Sequence, residues 1–290
     1  MNGPVPGWLV TASVAIAVFT LMFSLGLGIA VGELRWIWRR PGPMLRGLFC
    51  VLVAVPAIAL LIGRALDLAR TAQVAMALMA ISPGAPVSLR RSLGAGGHPA
   101  FAPSLQIASV LAAVVSMPLS IAALNEFYLT RASIMPWDVA RQILVAQLVP
   151  LGLGMALRRW RAPLAERIKP RLDRIGNVLL IATVVLVLVD AWEVTVTAGA
   201  RTLAAIVLIT FAALAAGHLL GGPEPEMRTA VAITSAARNP GLALLVTTQN
   251  NAPAAVNAGI LAYLLVSVLA IVPYVQWRQR AARRAEQSAH

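Results

Sequence analysis

Ala75-Met-Ala-Leu-Met-Ala-Ile-Ser-Pro-Gly-Ala-Pro-Val-Ser88 and Ala230-Val-Ala-Ile-Thr-Ser-Ala-Ala-Arg-Asn-Pro-Gly-Leu-Ala243 are each an apolar, helix-length stretch broken by Pro-Gly. The breaks fall at Pro83-Gly84 and Pro240-Gly241, with hydroxyl or amide side chains packed against them. Proline removes a helical N–H and its ring clashes with the preceding turn, so backbone donors and acceptors come free there. In hydrocarbon such freed groups cost several kcal/mol each and persist only where protein or a wet cavity satisfies them. Two interrupted apolar helices in matching halves of a chain point to a transport site near the membrane midplane.

Composition agrees with a membrane setting. Of 290 residues 59% are hydrophobic and 12% charged, and the mean hydropathy is +0.79, outside the soluble range. Apolar windows of about 20 residues, enough to cross about 30 Å of hydrocarbon, fall at 8–31, 43–65, 69–89, 100–125, 139–158, 176–196, 200–222, 228–249 and 254–276. The fold class expected is therefore all-α, a polytopic membrane protein of nine transmembrane helices.

The net charge of +13 is an orientation signal. With the N-terminus outside, eighteen of the 24 basic residues gather on the inner side, in the Arg35–Arg46 and Arg90-Arg91 loops, the 158–174 stretch, Arg228 and the Arg278–Arg284 tail. That asymmetry satisfies the positive-inside rule for an N-outside, C-cytoplasmic chain, here expected in a bacterial inner (plasma) membrane. Nucleic acid is excluded as a partner, and the basic tail is expected to touch anionic lipid of the bilayer. Trp8, Trp36, Trp38, Trp137, Trp160, Trp192 and Trp277 all fall near span ends, as an interfacial belt requires. The first span lacks a basic leader and a cleavage site, so it reads as a retained helix. Cys50 is the only cysteine, which excludes an internal disulfide and a cysteine metal cluster.

In chain order, Gly26, Gly28 and Gly32 form a smooth strip for close helix contact. Pro56 predicts a kink in the second span. Ser104, Gln106, Ser109 and Ser116 give the fourth span a polar face that either joins helices or lines a path. His98 and His218 read as loop and interfacial residues, and Gln249-Asn-Asn251 as a polar cap. The basic stretch 158–174 is expected as a cytoplasmic linker between a first repeat, 1–157, and the rest of a second repeat, 175–290. The breaks lie in spans 3 and 8, an odd number of crossings apart, so the halves would be inverted repeats with span 5 unpaired.

Phe23-Ser-Leu-Gly-Leu-Gly, the Arg39-Arg-Pro41 loop, Pro56, Ser82-Pro-Gly-Ala-Pro-Val-Ser88, Met117-Pro118 and Arg238-Asn-Pro-Gly-Leu-Ala243 resemble, in order and spacing, the motifs of the bile acid:sodium symporter family. The resemblance covers nearly all of the chain. It implies a panel domain and a core domain, with two discontinuous helices crossing in the core and a divergent nine-helix member here. It also implies two sodium sites built from a shared carboxylate and several oxygens. Residue by residue, the family's Ser-Asn pair falls on Ser88 and Leu89, its Ser and Thr on Ala102 and Gln106, and an earlier Gln on Val51. The Glu, Gln and Asn of its second break fall on Thr234, Arg238 and Asn239. The carboxylate and most neutral ligands are therefore replaced, so no metal is expected, sodium coupling is doubtful, and no other cofactor is implied.

The residues say the same without the family. Sodium wants an oxygen cage, and a proton-coupled carrier usually needs an intramembrane acid. All eleven acidic residues sit in loops or at span ends. What the second break offers instead is Arg238, a permanent charge costing at least about 2.5 to 3.5 kcal/mol to place in the bilayer. The expectation is that Arg238 substitutes for the metal ion or pairs directly with an anionic substrate; a bracing role for the crossing helices is the alternative. The substrate-binding set expected is Arg238, Asn239, Thr234, Ser235, Ser88 and Gln106, with Pro83, Gly84, Pro240 and Gly241 making the breaks. The function expected is a secondary transporter moving a small organic anion by alternating access. An auxin-efflux-type or arsenite-type permease of the same architecture, and a membrane sensor that binds an anion without moving it, are the alternatives. No base and nucleophile pair suggests an enzyme.

Overall fold

A computed structural model describes residues 6–29, 32, 40–128, 135–190, 199–250 and 252–288. Helices are α1 (Gly7–Leu27), α2 (Pro41–Phe49), α3 (Val55–Ala65), α4 (Arg70–Ala80), α5 (Pro86–Gly94), α6 (Phe101–Tyr128), α7 (Pro136–Ile143), α8 (Val149–Trp160), α9 (Ala162–Asp190), α10 (Ala200–Leu220), α11 (Pro225–Ala236), α12 (Pro240–Gln249) and α13 (Ala254–Ser288). No strand occurs among the described residues. Among the described residues six helical segments are long and apolar enough to cross a membrane: Trp8–Leu27, Pro41–Ala65, Phe101–Glu126, Pro136–Trp160, Ala200–Leu220 and Ala254–Arg284. Their outward faces carry Leu61, Val115, Leu119 and Leu269, each more than half exposed, which is the pattern lipid imposes. Trp8, Trp137, Trp160 and Trp277 are also exposed, as belt residues should be. Trp36, Trp38 and Trp192 lie outside the described residues.

Neither stretch of the opening pair forms a continuous helix. The first stops at Ala80, crosses Ser82–Ala85 without helical structure and restarts as α5 at Pro86. The second stops at Ala236 and restarts as α12 at Pro240. At the gaps the two chains touch, the Asn239 N–H donating to Ser82 O at 2.9 Å. Around that bond α5 packs on α11, and α4 touches α12. That is the arrangement of two interrupted helices meeting at their breaks while running in opposite directions.

The other helices form two packed groups. α1 lies along α8 and α9, while α10 packs on α11 and α13, and α13 on α4. α1 and α8 approach so closely that a Cβ on Gly26 would collide with Leu151 O, and one on Gly154 with Phe23 O. Of the strip expected at Gly26, Gly28 and Gly32, Gly26 makes the close helix contact, Gly28 faces the Lys169 side chain, and Gly32 has open space beside it. The stretch 158–174, expected as a linker loop, is helical apart from Arg161 (φ −140°, ψ 63°), which turns α8 into α9. Long basic side chains sit on exposed helical faces as readily as on loops.

Two helix joints are π turns, Cys50–Ala54 between α2 and α3 and Leu144–Leu148 between α7 and α8. Each is followed, two residues on, by a proline, Pro56 and Pro150. The first of these joints positions the site.

Candidate anion site at the helix crossing

Asn239 has extended backbone (φ −93°, ψ 93°) and caps α12, its Oδ1 accepting from the Leu242 N–H at 3.1 Å. Pro240 occupies the first helical position, where its missing N–H and fixed φ cost nothing. Gly241 follows because α1 presses on it: a Cβ there would meet Val18 Cγ2 at 2.8 Å. One residue before the cap, Arg238 is held in non-helical chain and buried to 4% exposure.

Arg238 Nη1 donates to Val51 O at 2.9 Å. In an α-helix Val51 O would be taken by the Val55 N–H, but that N–H bonds to Cys50 O instead. In the π register the donor would be residue 56, which is a proline. Pro56 and the π turn together leave one carbonyl bare in the interior, and the guanidinium takes it. The other two nitrogens, Nε and Nη2, have no partner among the described residues, nor has Asn239 Nδ2. Nε and Nη2 form the side of the guanidinium whose paired N–H groups match a carboxylate fork. The ionisable groups acting on Arg238 are the Cys50 thiol and the Tyr263 hydroxyl, not a carboxylate.

The first break closes differently. Ser82 Oγ donates to Leu78 O at 2.7 Å, ending α4. Gly84 takes φ +82°, and a Cβ there would lie 2.6 Å from Val110 Cγ2, so both conformation and space call for glycine. Ser88 Oγ lies 2.7 Å from both Ala85 O and Gln106 Oε1, and Gln106 Nε2 donates to Ala85 O at 2.9 Å. The fourth span's polar face thus ties the start of α5 to α6.

Between the breaks and α1, α9 and α13 lies a cavity with about 80 Å³ of room. That holds several waters or a small ligand. One side is apolar, with Leu21, Leu180 and Val268; the other carries Arg238, Asn239, Pro240 and Gly241, and Ala85 and Val87 from the first break. Of the expected set, Arg238 and Asn239 line it together with the second Pro-Gly. Ser88 and Gln106 are engaged with each other instead. Ser235 is buried and donates to Cys50 Sγ at 3.2 Å, and Thr234 is buried one residue before it; neither lines the cavity, nor do Pro83 and Gly84. Val51 contributes its carbonyl where the family motif has a glutamine side chain. Leu89 and Ala102 pack among apolar neighbours.

Sequence reasoning missed one lining residue of consequence, Arg91, which was counted with Arg90 as an orientation charge. Arg91 is half-buried and lines the cavity. The signal was its place one turn after Ser88 in a helix restarting at the break.

Arg90, by contrast, is paired. Asp173 of α9 bonds Arg90 of α5, Lys169 Nζ at 2.7 Å and Ser24 Oγ of α1 at 2.6 Å. Burial pushes the Asp173 carboxyl up, but hydrogen bonds from Lys169 and Ser24 and the charges of Lys169 and Arg90 outweigh it and hold it below the usual carboxylate range. Of the histidines, His98 Nδ1 accepts from the Ala100 and Phe101 N–H groups, both at 3.2 Å, and so starts α6. His218 Nδ1 lies 2.8 Å from Tyr274 Oη.

A helical membrane fold whose two interrupted helices touch at an arginine-bearing cavity belongs to the class of integral membrane transport proteins. Residues 15–198 match the model of the Sodium Bile acid symporter family. The chain belongs to that family, which is one of transporters and not of enzymes. The match takes in the first interrupted helix and ends before the second. Among its relatives, sodium/bile acid cotransporter 4 of Rattus norvegicus is 29% identical over 147 residues, covering 50% of this chain and 34% of the relative. A probable chloroplastic sodium/metabolite cotransporter of Arabidopsis thaliana is 25% identical over 166 residues, 56% and 37% of the two chains. The sodium-dependent organic anion transporter of Rattus norvegicus is 28% identical over 189 residues, 63% and 50%. The chain spans about a third to a half of the length of these curated relatives.

Proposed function

We propose that this protein is a secondary carrier that moves a small organic anion by alternating access without sodium. The observation that carries the reading is Arg238: buried where the two breaks meet, lining a cavity, tied by Nη1 to Val51 O, and with Nε and Nη2 unpartnered among the described residues. An uncompensated guanidinium in a bilayer is expensive, and an anionic cargo offsets that cost. Names of relatives speak of sodium, bile acid and organic anions. Of the positions that resemble the family's sodium ligands, Val51, Leu89 and Ala102 have apolar side chains, while Arg238 and Gln106 bring hydrogen-bond donors. Arg238 addresses Val51 O, and the Gln106 amide addresses Ala85 O. A bound donor needs no cation from solution.

The proposed frame has nine spans: the six continuous segments, the pairs α4/α5 and α11/α12, and the apolar second half of α9. α1, α8 and α9 would form the panel; the interrupted pairs with α2/α3, α6, α10 and α13 would form the core. Residues 1–157 and 175–290 would hold inverted repeats about 158–174, with the N-terminus outside and the C-terminus cytoplasmic in a bacterial inner membrane. The test is uptake of radiolabelled organic anions into proteoliposomes with sodium or with choline as the cation. Equal uptake in both is expected; a strict sodium requirement overturns the ion-free reading. Arg238→Ala should abolish uptake while the protein remains monodisperse in detergent.

A further inference from the structure

Resting on that anion-carrier reading, we infer that Arg91 is a second anchor for the cargo, and that the cavity selects a compact dianion over a monoanion of the same length. The cavity is lined by two arginines from opposite partners in the crossing: Arg238 from the second break, and Arg91 from α5, the helix that leaves the first. Among the described residues no acidic side chain lines the cavity, and no hydrogen bond or ion pair holds Arg91. Its chain neighbour Arg90 turns the other way, to Asp173. Two like charges around one cavity, one of them buried and the other half-buried, repel each other, and a single negative charge leaves one of them unanswered. A dianion answers both.

Size and lining narrow the class further. Room of about 80 Å³ suits a short chain and excludes a rigid polycyclic body unless the helices part. The apolar wall of Leu21, Leu180 and Val268 asks for a methylene segment between the charged ends. The cargo class that fits is a short aliphatic dicarboxylate, or an acid carrying one carboxylate and one sulfonate or phosphonate. One end would meet Arg238 and Asn239 on one side of the cavity, and the other would meet Arg91.

The experiment measures binding of succinate and butyrate, equal in chain length, to the full-length protein in detergent by calorimetry, for the parent, Arg91→Gln and Arg91→Lys. Charge-assisted hydrogen bonds of the usual strength predict that the parent prefers succinate by about tenfold or more. Arg91→Gln should bring the ratio of the two affinities close to one, and Arg91→Lys should keep most of the preference, which a merely structural role for Arg91 would not produce. A parent that binds both acids equally, or an Arg91→Gln protein with an unchanged ratio, overturns the inference. If monocarboxylates bind in an Arg238-dependent way without preference for the dianion, this inference falls and the anion-carrier reading stands. If no carboxylate binds and Arg238→Gln changes nothing, both fall.

Discussion

Replacing Arg238 by methionine separates an anion-binding role from a bracing one, because the two predict opposite changes in stability. Methionine has a similar reach and no polar atoms to satisfy, so it leaves little cavity. In the absence of an anion the parent carries the cost of a charge with no counter-ion in the membrane interior, about 2.5 to 3.5 kcal/mol. Against that stands the Nη1 bond to Val51 O. Losing it leaves a carbonyl stranded by Pro56, at about 1 to 3 kcal/mol. The difference favours the variant by roughly 1 kcal/mol, a rise of about 2 °C in melting temperature for a protein of this size. The assay is thermal unfolding in detergent with chloride as the only anion, then with a panel of organic acids. The parent should melt higher in the presence of a cargo acid, by mass action; Arg238→Met should melt at or slightly above the anion-free parent and ignore the acids. A variant that melts several degrees lower, and still responds to acids, would make Arg238 a brace for the crossing and refute the functional argument.

Other outcomes follow from the same geometry. Pro56→Ala returns an N–H within reach of Val51 O, so it should compete with Arg238 Nη1 and shift Arg238-dependent anion affinity several-fold; unchanged affinity in a titration would mean the proline is not what frees that carbonyl. Gly84→Ala should cost about 1 to 2 kcal/mol from the positive φ and about 1 to 3 more from the contact with Val110 Cγ2. Adding Val110→Ala should recover only the second part, so a double-mutant cycle without coupling between the two sites would remove the steric argument. The Asp173 carboxyl is held below its ordinary value of 3.8, so its contribution is complete above that value and is lost as pH falls through the lower, folded one. Asp173→Asn should therefore cost about 1 kcal/mol at pH 7, given partial exposure, and flatten the acid limb of the melting curve. A variant whose acid limb matches the parent's would place the titration elsewhere.

How much of this was legible in the sequence depended on whether the deciding physics was local. Pro-Gly inside an apolar run frees backbone groups and weakens the helix for purely local reasons, so both breaks could be read from residues 83–84 and 240–241 alone. Arg238 was legible for a similar reason, since a charge in such a segment must be explained. The π turn at Cys50–Ala54 was not, although its ingredient, Pro56, was in view as a kink. Knowing that Val51 O is the carbonyl left bare requires following each N–H in turn across the joint. Arg91 was hidden by Arg90. As neighbours in sequence they read as one basic pair at a span end, yet one turns to Asp173 and the other to the cavity, a division that exists only once α1 and α9 are packed beside α5. Ser88 and Gln106 were picked out as polar groups in an apolar setting; that they satisfy each other, and so leave the cavity, is a matter of their 2.7 Å separation.

If the anion-carrier reading holds, the fixed donors change what the protein can do with energy as well as how it binds. A mobile cation carried with the substrate lends its own gradient to the transport step, so the substrate can be driven uphill. Arg238 is bonded to the chain and returns to the same place after each cycle, whichever side faces water. It can lower the free energy of the bound anion, but it contributes equally to binding from either side, and a term that is the same on both sides moves no equilibrium. The carrier is then expected to run down the anion's own gradient or to exchange one anion for another. Exchange has an independent reason in the structure: an empty cavity lined by two arginines is the costliest state of the cycle, so crossing with the site occupied is favoured over crossing with it vacant. Proteoliposomes preloaded with an organic anion should therefore take up labelled anion several-fold faster than empty ones, and equal rates would contradict this account of the two charges.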